Sequence, residues 1–311
     1  MPVTPLGRRC RGGSAIEVEL YNMGSLRRIA VPSSIAKELL GRCREWSRGE
    51  RPPAKVRMGG LVFGLQCIDE RAVLVSESGS RFVVDEHAAS LGERSMAVVG
   101  STGFMGVAEA YRGSYYKLVP LPGGKPPTLE INGIHMHRVA GTDPWSDALA
   151  KASLVVKRGF RVLDTCTGLG YTSIAAIARG ASLVYTVEVD EIVLQLAALN
   201  PWSHRLRDKR IRIILGDAVE VVRDFGDSAF DALIHDPPRF SKSTSSLYTL
   251  ELYREFHRIL RRGGRLFHYT GEPGRIRGLN LPGRVARLLR EAGFEVLGFR
   301  RRALGLVAVK M

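Results

Sequence analysis

The second half of the chain repeats one unit, a short β-branched run followed by a turn and a helical stretch. Candidate strands are Val162 to Thr165, Leu183 to Val189, Ile211 to Leu215, Ala232 to His235, Arg265 to Tyr269, Phe294 to Phe299 and Leu304 to Val309. Helical stretches separate the first five, another runs from Leu281 to Ala292, and only Arg300 to Ala303 part the last two. Parallel neighbours need long crossovers, whereas antiparallel ones need only a turn. Five crossovers and a final hairpin therefore predict an α/β fold with a mostly parallel sheet closed by an antiparallel strand.

Ligands bind such sheets beyond the carboxyl ends of the strands, so the residues ending each strand carry the functional reading. After the first strand the chain reads Leu163-Asp164-Thr165-Cys166-Thr167-Gly168-Leu169-Gly170-Tyr171, and a helix follows from Thr172. Gly168 and Gly170 allow backbone amides to approach a ligand closely. The third glycine of a dinucleotide loop is replaced by Ser173, and no lysine follows as in a phosphate loop. Instead Asp164 precedes the first glycine by four residues. A carboxylate there repels a pyrophosphate but suits a ligand with a cationic amino-acid end, which points to S-adenosylmethionine.

Glu188 ends the second strand 18 residues after Gly170, near the spacing at which an acid accepts from ribose hydroxyls. Asp217 follows the third strand and is placed to accept from an adenine amino group. Each acid standing alone reads more readily as a helix N-cap, and acids at three consecutive strand ends count against that coincidence. The fourth strand runs into His235-Asp236-Pro237-Pro238-Arg239-Phe240. A nucleobase amino group is a poor nucleophile because its lone pair is delocalised into the ring. The Asp236 carboxylate and Pro237 carbonyl form an acceptor pair that can hold both N–H bonds and favour a pyramidal nitrogen. Two prolines fix those carbonyls and leave no competing amide donor.

Asp164-x-x-x-Gly168-x-Gly170, Glu188, Asp217 and Asp236-Pro237-Pro238 together resemble the class I S-adenosylmethionine-dependent methyltransferases, over roughly Ile131 to Met311. The resemblance implies a Rossmann-like seven-stranded sheet and S-adenosylmethionine held by Asp164, Thr165, Gly168, Gly170, Tyr171, Glu188, Asp217 and Asp236. Asp-Pro-Pro is similar to the D/N-P-P-aromatic signature of enzymes that methylate exocyclic amines, which implies Asp236, Pro237, Pro238 and Phe240 as the catalytic set. His235-Asp-Pro-Pro-Arg-Phe-Ser and Phe267-His-Tyr-Thr-Gly-Glu-Pro-Gly resemble an archaeal family, which implies dimethylation of cytidine N4 in ribosomal RNA. The chain departs from the signature where Arg239 stands between the prolines and Phe240, so base stacking would fall to Phe240 or to the Arg239 guanidinium.

Lys and Arg number 46 against 31 Asp and Glu, a net charge of +15, with arginines grouped at Arg205/Arg207/Lys209/Arg210/Arg212, Arg261/Arg262/Arg265 and Arg300/Arg301/Arg302. Such a balance suits an anionic polymer, RNA, with ribosomal RNA preferred to tRNA. The plain alternative is an arginine-rich soluble surface. Ser241 to Ser246 is a polar loop that would either order around an RNA backbone or simply connect to the helix near Tyr248 to Leu260. His235, His257 and His268 form no metal set and read as packed histidines. Cys10, Cys43, Cys67 and Cys166 lack short spacings, so neither zinc nor a disulfide framework is expected. Arg8 to Gly13 is followed by Glu17 and Glu19 rather than an apolar run, and no membrane span is expected, which places the chain in the cytoplasm.

Before the sheet, residues 1–127 read as a small β-rich domain and the candidate RNA-binding part, with 128–311 as the catalytic domain. Ser33 to Leu40 is a serine-capped helix ending near Gly41 or Trp46. Leu61 to Leu65, Ala72 to Val75 and Arg81 to Val84 read as hairpin strands. Leu118 to Pro127, with four prolines and two glycines, reads as the linker. Ile131 to Arg138 alternates like a strand. Asp143 to Ala150 starts a helix with Pro144 at its first position, which would either cover the cofactor or fill a sheet face. Two other functions fit the pattern. One is a polyamine aminopropyltransferase, disfavoured because Arg239 and Lys242 flank Asp236 where a polycation would bind. The other is a non-catalytic RNA-binding factor on the same fold.

Overall fold

A computed structural model describes residues 20–49, 54–272 and 280–311. The expected readings of Arg8 to Gly13, Glu17 and Glu19, and the Pro273-Gly274 end of the second family string, lie outside the described residues.

Seven strands form one sheet: β1 (Arg161–Asp164), β2 (Leu183–Glu188), β3 (Ile211–Leu215), β4 (Phe230–His235), β5 (Leu260–Tyr269), β6 (Phe294–Arg300) and β7 (Gly305–Lys310). Their order is β3-β2-β1-β4-β5-β7-β6. Pairings from β3 to β5 are parallel, and β7 runs antiparallel to both β5 and β6. The order reverses between β1 and β4, so the carboxyl ends of these two strands flank the topological switch point where ligands bind. The central strands are buried almost continuously, as helices on both faces require. At the β3 edge, Leu20 bridges antiparallel to Ile214 and Tyr21 N–H donates to Ile213 O at 2.8 Å, which covers an otherwise open strand.

The helices are α1 (Pro144–Val155), α2 (Tyr171–Ala178), α3 (Glu191–Leu199), α4 (Ala218–Asp224), α5 (Leu250–Ile259) and α6 (Leu281–Glu291). Short polar residues start several of them. Asp217 caps α4, Thr249 caps α5 and Asn280 caps α6, each accepting a first-turn N–H. The core of the sheet packs Tyr185, Phe225 and Phe230 edge to face, with Phe225 and Phe230 centroids 4.9 Å apart.

The chain divides into two compact units. One holds Trp145–Glu191 and Asp208–Met311 with the Leu20–Asn22 segment, and the other holds Met23–Pro144 and Ile192–Arg207. The expected boundary at 127/128 differs, because it falls inside a strand, Lys125–Ile131. That strand pairs with Tyr115–Leu121, so the proline-rich stretch is a hairpin rather than a linker. The ladder breaks between Lys125 and Thr128, placing Pro126 and Pro127 where no N–H is demanded. The second unit also takes a segment from beyond β2, so its two parts are not contiguous in sequence.

Three further expectations are corrected in this unit. Ile131 to Arg138 is not one strand. Asn132 and Gly133, at φ 48° and 79°, turn the chain into a short hairpin strand, Ile134–His135. Ser33 is the first residue of the helix Ser33–Ser47 rather than its cap, and its hydroxyl donates to Gly92 O. Cys43, on that helix, forms a disulfide with Cys67, on the strand Leu61–Ile68, although no disulfide was expected.

Candidate active site

Asp164 ends β1 and Gly168 and Gly170 follow, both left-handed at φ 53° and 77°. The intervening loop is stitched to both neighbouring strands. Thr165 N–H donates to Ile234 O of β4 at 3.1 Å, and Thr167 N–H donates to Val187 O of β2 at 2.9 Å. Asp164 is fully buried, and its Oδ2 accepts the hydroxyls of Thr172 and Ser173 at 2.6 Å each. Its other oxygen, Oδ1, is buried with no hydrogen-bond partner. Burial pushes this carboxyl up to about 7. The Ser173 and Thr172 hydroxyls and the Cys166 amide oppose the rise, and Asp236 adds to it.

Glu188 lies at the end of β2. It accepts Gly168 N–H at 2.8 Å and Asp190 N–H at 3.1 Å, so it pins the glycine loop as well as facing the ligand side. A carboxylate has about four acceptor positions, which leaves room for hydroxyl donors. Burial raises its pKa. Asp217 is exposed and caps α4 through Val219 N–H at 2.8 Å, so the plain alternative for this acid is realised in the structure. Tyr171 is buried at the first turn of α2. Thr165 gives its hydroxyl to His235 Nδ1 at 2.6 Å, which ties the loop to the end of β4.

His235 and His268 are neighbours in register on β4 and β5, with ring centroids 4.5 Å apart. Both are fully buried. Burial lowers His235 to about 4 and His268 well below its ordinary value, so both are neutral. The Leu247 carbonyl can only accept, so His235 carries its proton on Nε2 and takes the Thr165 hydroxyl on Nδ1. By the same logic His268 donates from Nδ1 to Tyr269 O and accepts Tyr253 OH on Nε2. Their role is to lock strands and loops together. His257 packs against Phe294.

Asp236 follows β4, with 20% of its side chain exposed. Its Oδ2 receives Lys151 Nζ of α1 at 2.6 Å, and Lys151 also reaches Asp147 Oδ2 at 2.7 Å. Sequence reasoning missed both partners. Pro237 is buried, and Pro238 O accepts Tyr248 OH at 2.8 Å. Phe240 is half-buried. Its ring meets Tyr248 edge to face at 5.2 Å and lies under the Arg284 guanidinium at 5.5 Å, while Arg239 is exposed. The loop Ser241 to Ser246 is tied to itself, with Thr244 Oγ1 donating to Arg239 O and accepting Ser241 N–H, both at 2.8 Å.

These strand ends can be set beside known proteins. A family described as "Conserved hypothetical protein 95" matches residues 147–262, from within α1 to the start of β5. An uncharacterized protein of Methanocaldococcus jannaschii, MJ1233, is 52% identical over 198 residues, covering 63% of this chain and 67% of that relative. Ribosomal RNA large subunit methyltransferase I of Photobacterium profundum is 31% identical over 166 residues, 48% of this chain and 42% of the relative's length. Spermidine synthase from Thermotoga maritima shares the fold, with a TM-score of 0.52 at 19% identity over 65% of this chain and 71% of that one. The chain belongs to the class I S-adenosylmethionine-dependent methyltransferases.

The residues present fit that cofactor. The orphaned, buried Asp164 Oδ1 is an acceptor awaiting a donor, and an ammonium is the donor that a carboxylate of raised pKa most rewards. A Cβ on Gly168 would meet nothing within 4 Å, so the space over the loop is open to a ligand. Cys166 is not poised as a nucleophile in this methyltransferase. Burial first, then the fields of Glu188, Asp164 and Asp236, raise its thiol well above the usual range.

Proposed function

We propose that this methyltransferase modifies an exocyclic amino group of an RNA base, with cytidine N4 of ribosomal RNA as the leading target. The observation that carries the reading is the place of Asp236, which follows β4 at the switch point with its carboxylate 2.6 Å from the Lys151 ammonium. S-adenosylmethionine, when bound, would supply an electrophilic methyl for the new N–C bond, with the C–S electron pair left on sulfur. Asp236 and the Pro237 carbonyl accept the two amino N–H bonds, which turns the nitrogen lone pair out of the ring plane. One of those protons is lost to solvent after the methyl is bound, so no strong base is required. Tyr248 fixes the Pro238 carbonyl and thereby the turn that carries Pro237. Arg239, exposed beside the pair, or the half-buried Phe240 supplies the stacking surface.

RNA as the acceptor is supported by the ribosomal RNA enzyme among the relatives and by where cations sit. Arg300 ends β6 and Arg301 and Arg302 begin the turn to β7, at the carboxyl end of the sheet, where Thr270 N–H and Gly271 N–H donate to Leu304 O. Not every arginine in the sequence serves this purpose. Arg207 donates to the carbonyls of Gly24, Met23 and Ala198, Arg210 pairs with Asp208, and Arg261 pairs with Asp231. Cations at Arg239 and Lys242 oppose a polyamine acceptor.

The test is transfer of labelled methyl from S-adenosylmethionine into ribosomal RNA from cells lacking the gene, followed by nucleoside mass spectrometry. Methylated cytidine N4 is expected from the wild type and none from Asp236→Ala, with RNA affinity falling steeply as salt rises. Label on a base carbon, transfer of an aminopropyl group, or equal labelling by Asp236→Ala would refute the reading.

A further inference from the structure

Lys151 reaches the strand ends from a helix that precedes them. Its Nζ lies 2.7 Å from Asp147 Oδ2, 2.6 Å from Asp236 Oδ2 and 4.6 Å from the centroid of the Tyr269 ring, at the end of β5. Lys151 and Asp147 side chains are 6% and 4% exposed, against 20% for Asp236. Lys151 is thus held between two carboxylates, one on its own turn of α1 and one at the end of β4, and the β4 carboxylate is the most exposed of the three.

We propose that Lys151 is a positioning residue for methyl transfer: by binding Asp236 Oδ2 while anchored on Asp147, it fixes the rotation of the Asp236 carboxylate and holds it as an acceptor. This rests on the reading that Asp236 meets the acceptor amine. Without the ammonium, two carboxylates would share a buried space, and one would take up a proton. A protonated Asp236 would donate to the amino nitrogen and occupy the lone pair that has to attack. With the ammonium in place, the Asp236 carboxylate is kept as an acceptor facing a nitrogen that becomes cationic as the N–C bond forms. The Tyr269 ring limits where the ammonium can swing, since it offers its negative face to the cation.

The experiment is a double-mutant cycle on methyl transfer to ribosomal RNA from cells lacking the gene. Lys151→Met lowers kcat about 100-fold, the scale of a misplaced reacting group, and leaves the KM for S-adenosylmethionine unchanged. Lys151→Arg restores part of the loss. In an Asp236→Asn background the same Lys151→Met change has little further effect, because the residue acts through that carboxylate. Full activity in Lys151→Met, or an undiminished effect in the Asp236→Asn background, overturns the proposal while the amine-methylation reading stands. Wild-type activity in Asp236→Ala overturns both. If Lys151→Met does not fold, Asp147→Asn replaces it. That change weakens the anchor that sets where the ammonium meets Asp236, so kcat falls, and an unchanged kcat overturns the proposal.

Discussion

The buried Asp164 carboxyl makes a quantitative prediction about cofactor affinity and pH. Its pKa in the free protein is raised to about 7, chiefly by burial. A cationic ammonium beside Oδ1 stabilises the charged form and lowers that pKa in the complex. Binding then requires the carboxylate, and the protein must release a proton to provide it wherever Asp164 is protonated beforehand. With a pKa of about 7, roughly 1% of the free protein is ionised at pH 5 and roughly half at pH 7. Affinity for S-adenosylhomocysteine should therefore rise roughly 50-fold between pH 5 and pH 7, about 2.3 kcal/mol, and level off above. The ligand's own amino group stays protonated across that window. Isothermal titration calorimetry in buffers of different ionisation enthalpy measures both the affinity and the proton released. Asp164→Asn should bind more weakly and lose most of the pH dependence. An affinity that is flat from pH 5 to pH 7, or a slope that survives in Asp164→Asn, would show that the orphaned oxygen does not face the ammonium.

Other perturbations test the frame around the site. Replacing Cys43 and Cys67 by serine releases a loop closed across 24 residues and should cost about 3 kcal/mol of stability in the unit that contains them, read as a lowered thermal midpoint that reductant reproduces in the wild type. His235 is held neutral down to about 4, so the unfolded chain binds a proton first as pH falls below 6.5; its stabilising share is present at pH 7 and shrinks by about 2 kcal/mol by pH 5. Denaturant titrations at both pH values should show that loss in the wild type relative to His235→Gln, and an equal dependence in both proteins would remove His235 as its source. Gly168→Ala places a side chain at φ 53° in open space, so it should cost about 1 kcal/mol in stability while weakening S-adenosylhomocysteine binding; unchanged binding would show that the cofactor passes elsewhere.

The sheet was legible because its strands are short apolar runs whose spacing distinguishes crossovers from a hairpin. All seven expected strands occur in the structure, and the single short connection, expected at Arg300 to Ala303, is the β6–β7 turn one residue later, Arg301 to Leu304. The described residues before the sheet were less legible, since some of their contacts are made across the sequence. Cys43 and Cys67 pair across 24 residues between a helix and a strand, with no local spacing to announce them. The prolines at 126 and 127 read as a chain break but sit in a ladder irregularity, which a pattern of residue types does not distinguish from a linker. The Asn132-Gly133 turn carried its usual local signal, and the alternation of the residues on either side masked it.

Lys151 could have been found from helical periodicity alone. In α1 the positions 144, 147, 148, 151, 152 and 155 share one face, and each of them is buried. Four are apolar, Pro144, Ala148, Ala152 and Val155, and the remaining two are Asp147 and Lys151. A charged pair in the apolar stripe of a helix is costly, and replacing such a pair by apolar residues is often neutral or stabilising. Packing therefore gives α1 no need of these charges, and an isolated pair would also have no reason to face a strand end. The third charge supplies the reason: Asp236 stands 85 residues away in sequence and 2.6 Å away in space. A strand-end acid identified from its motif and a charge stranded in an apolar stripe are separate sequence signals, and their meeting at one oxygen is the strongest ground for placing the chemistry there.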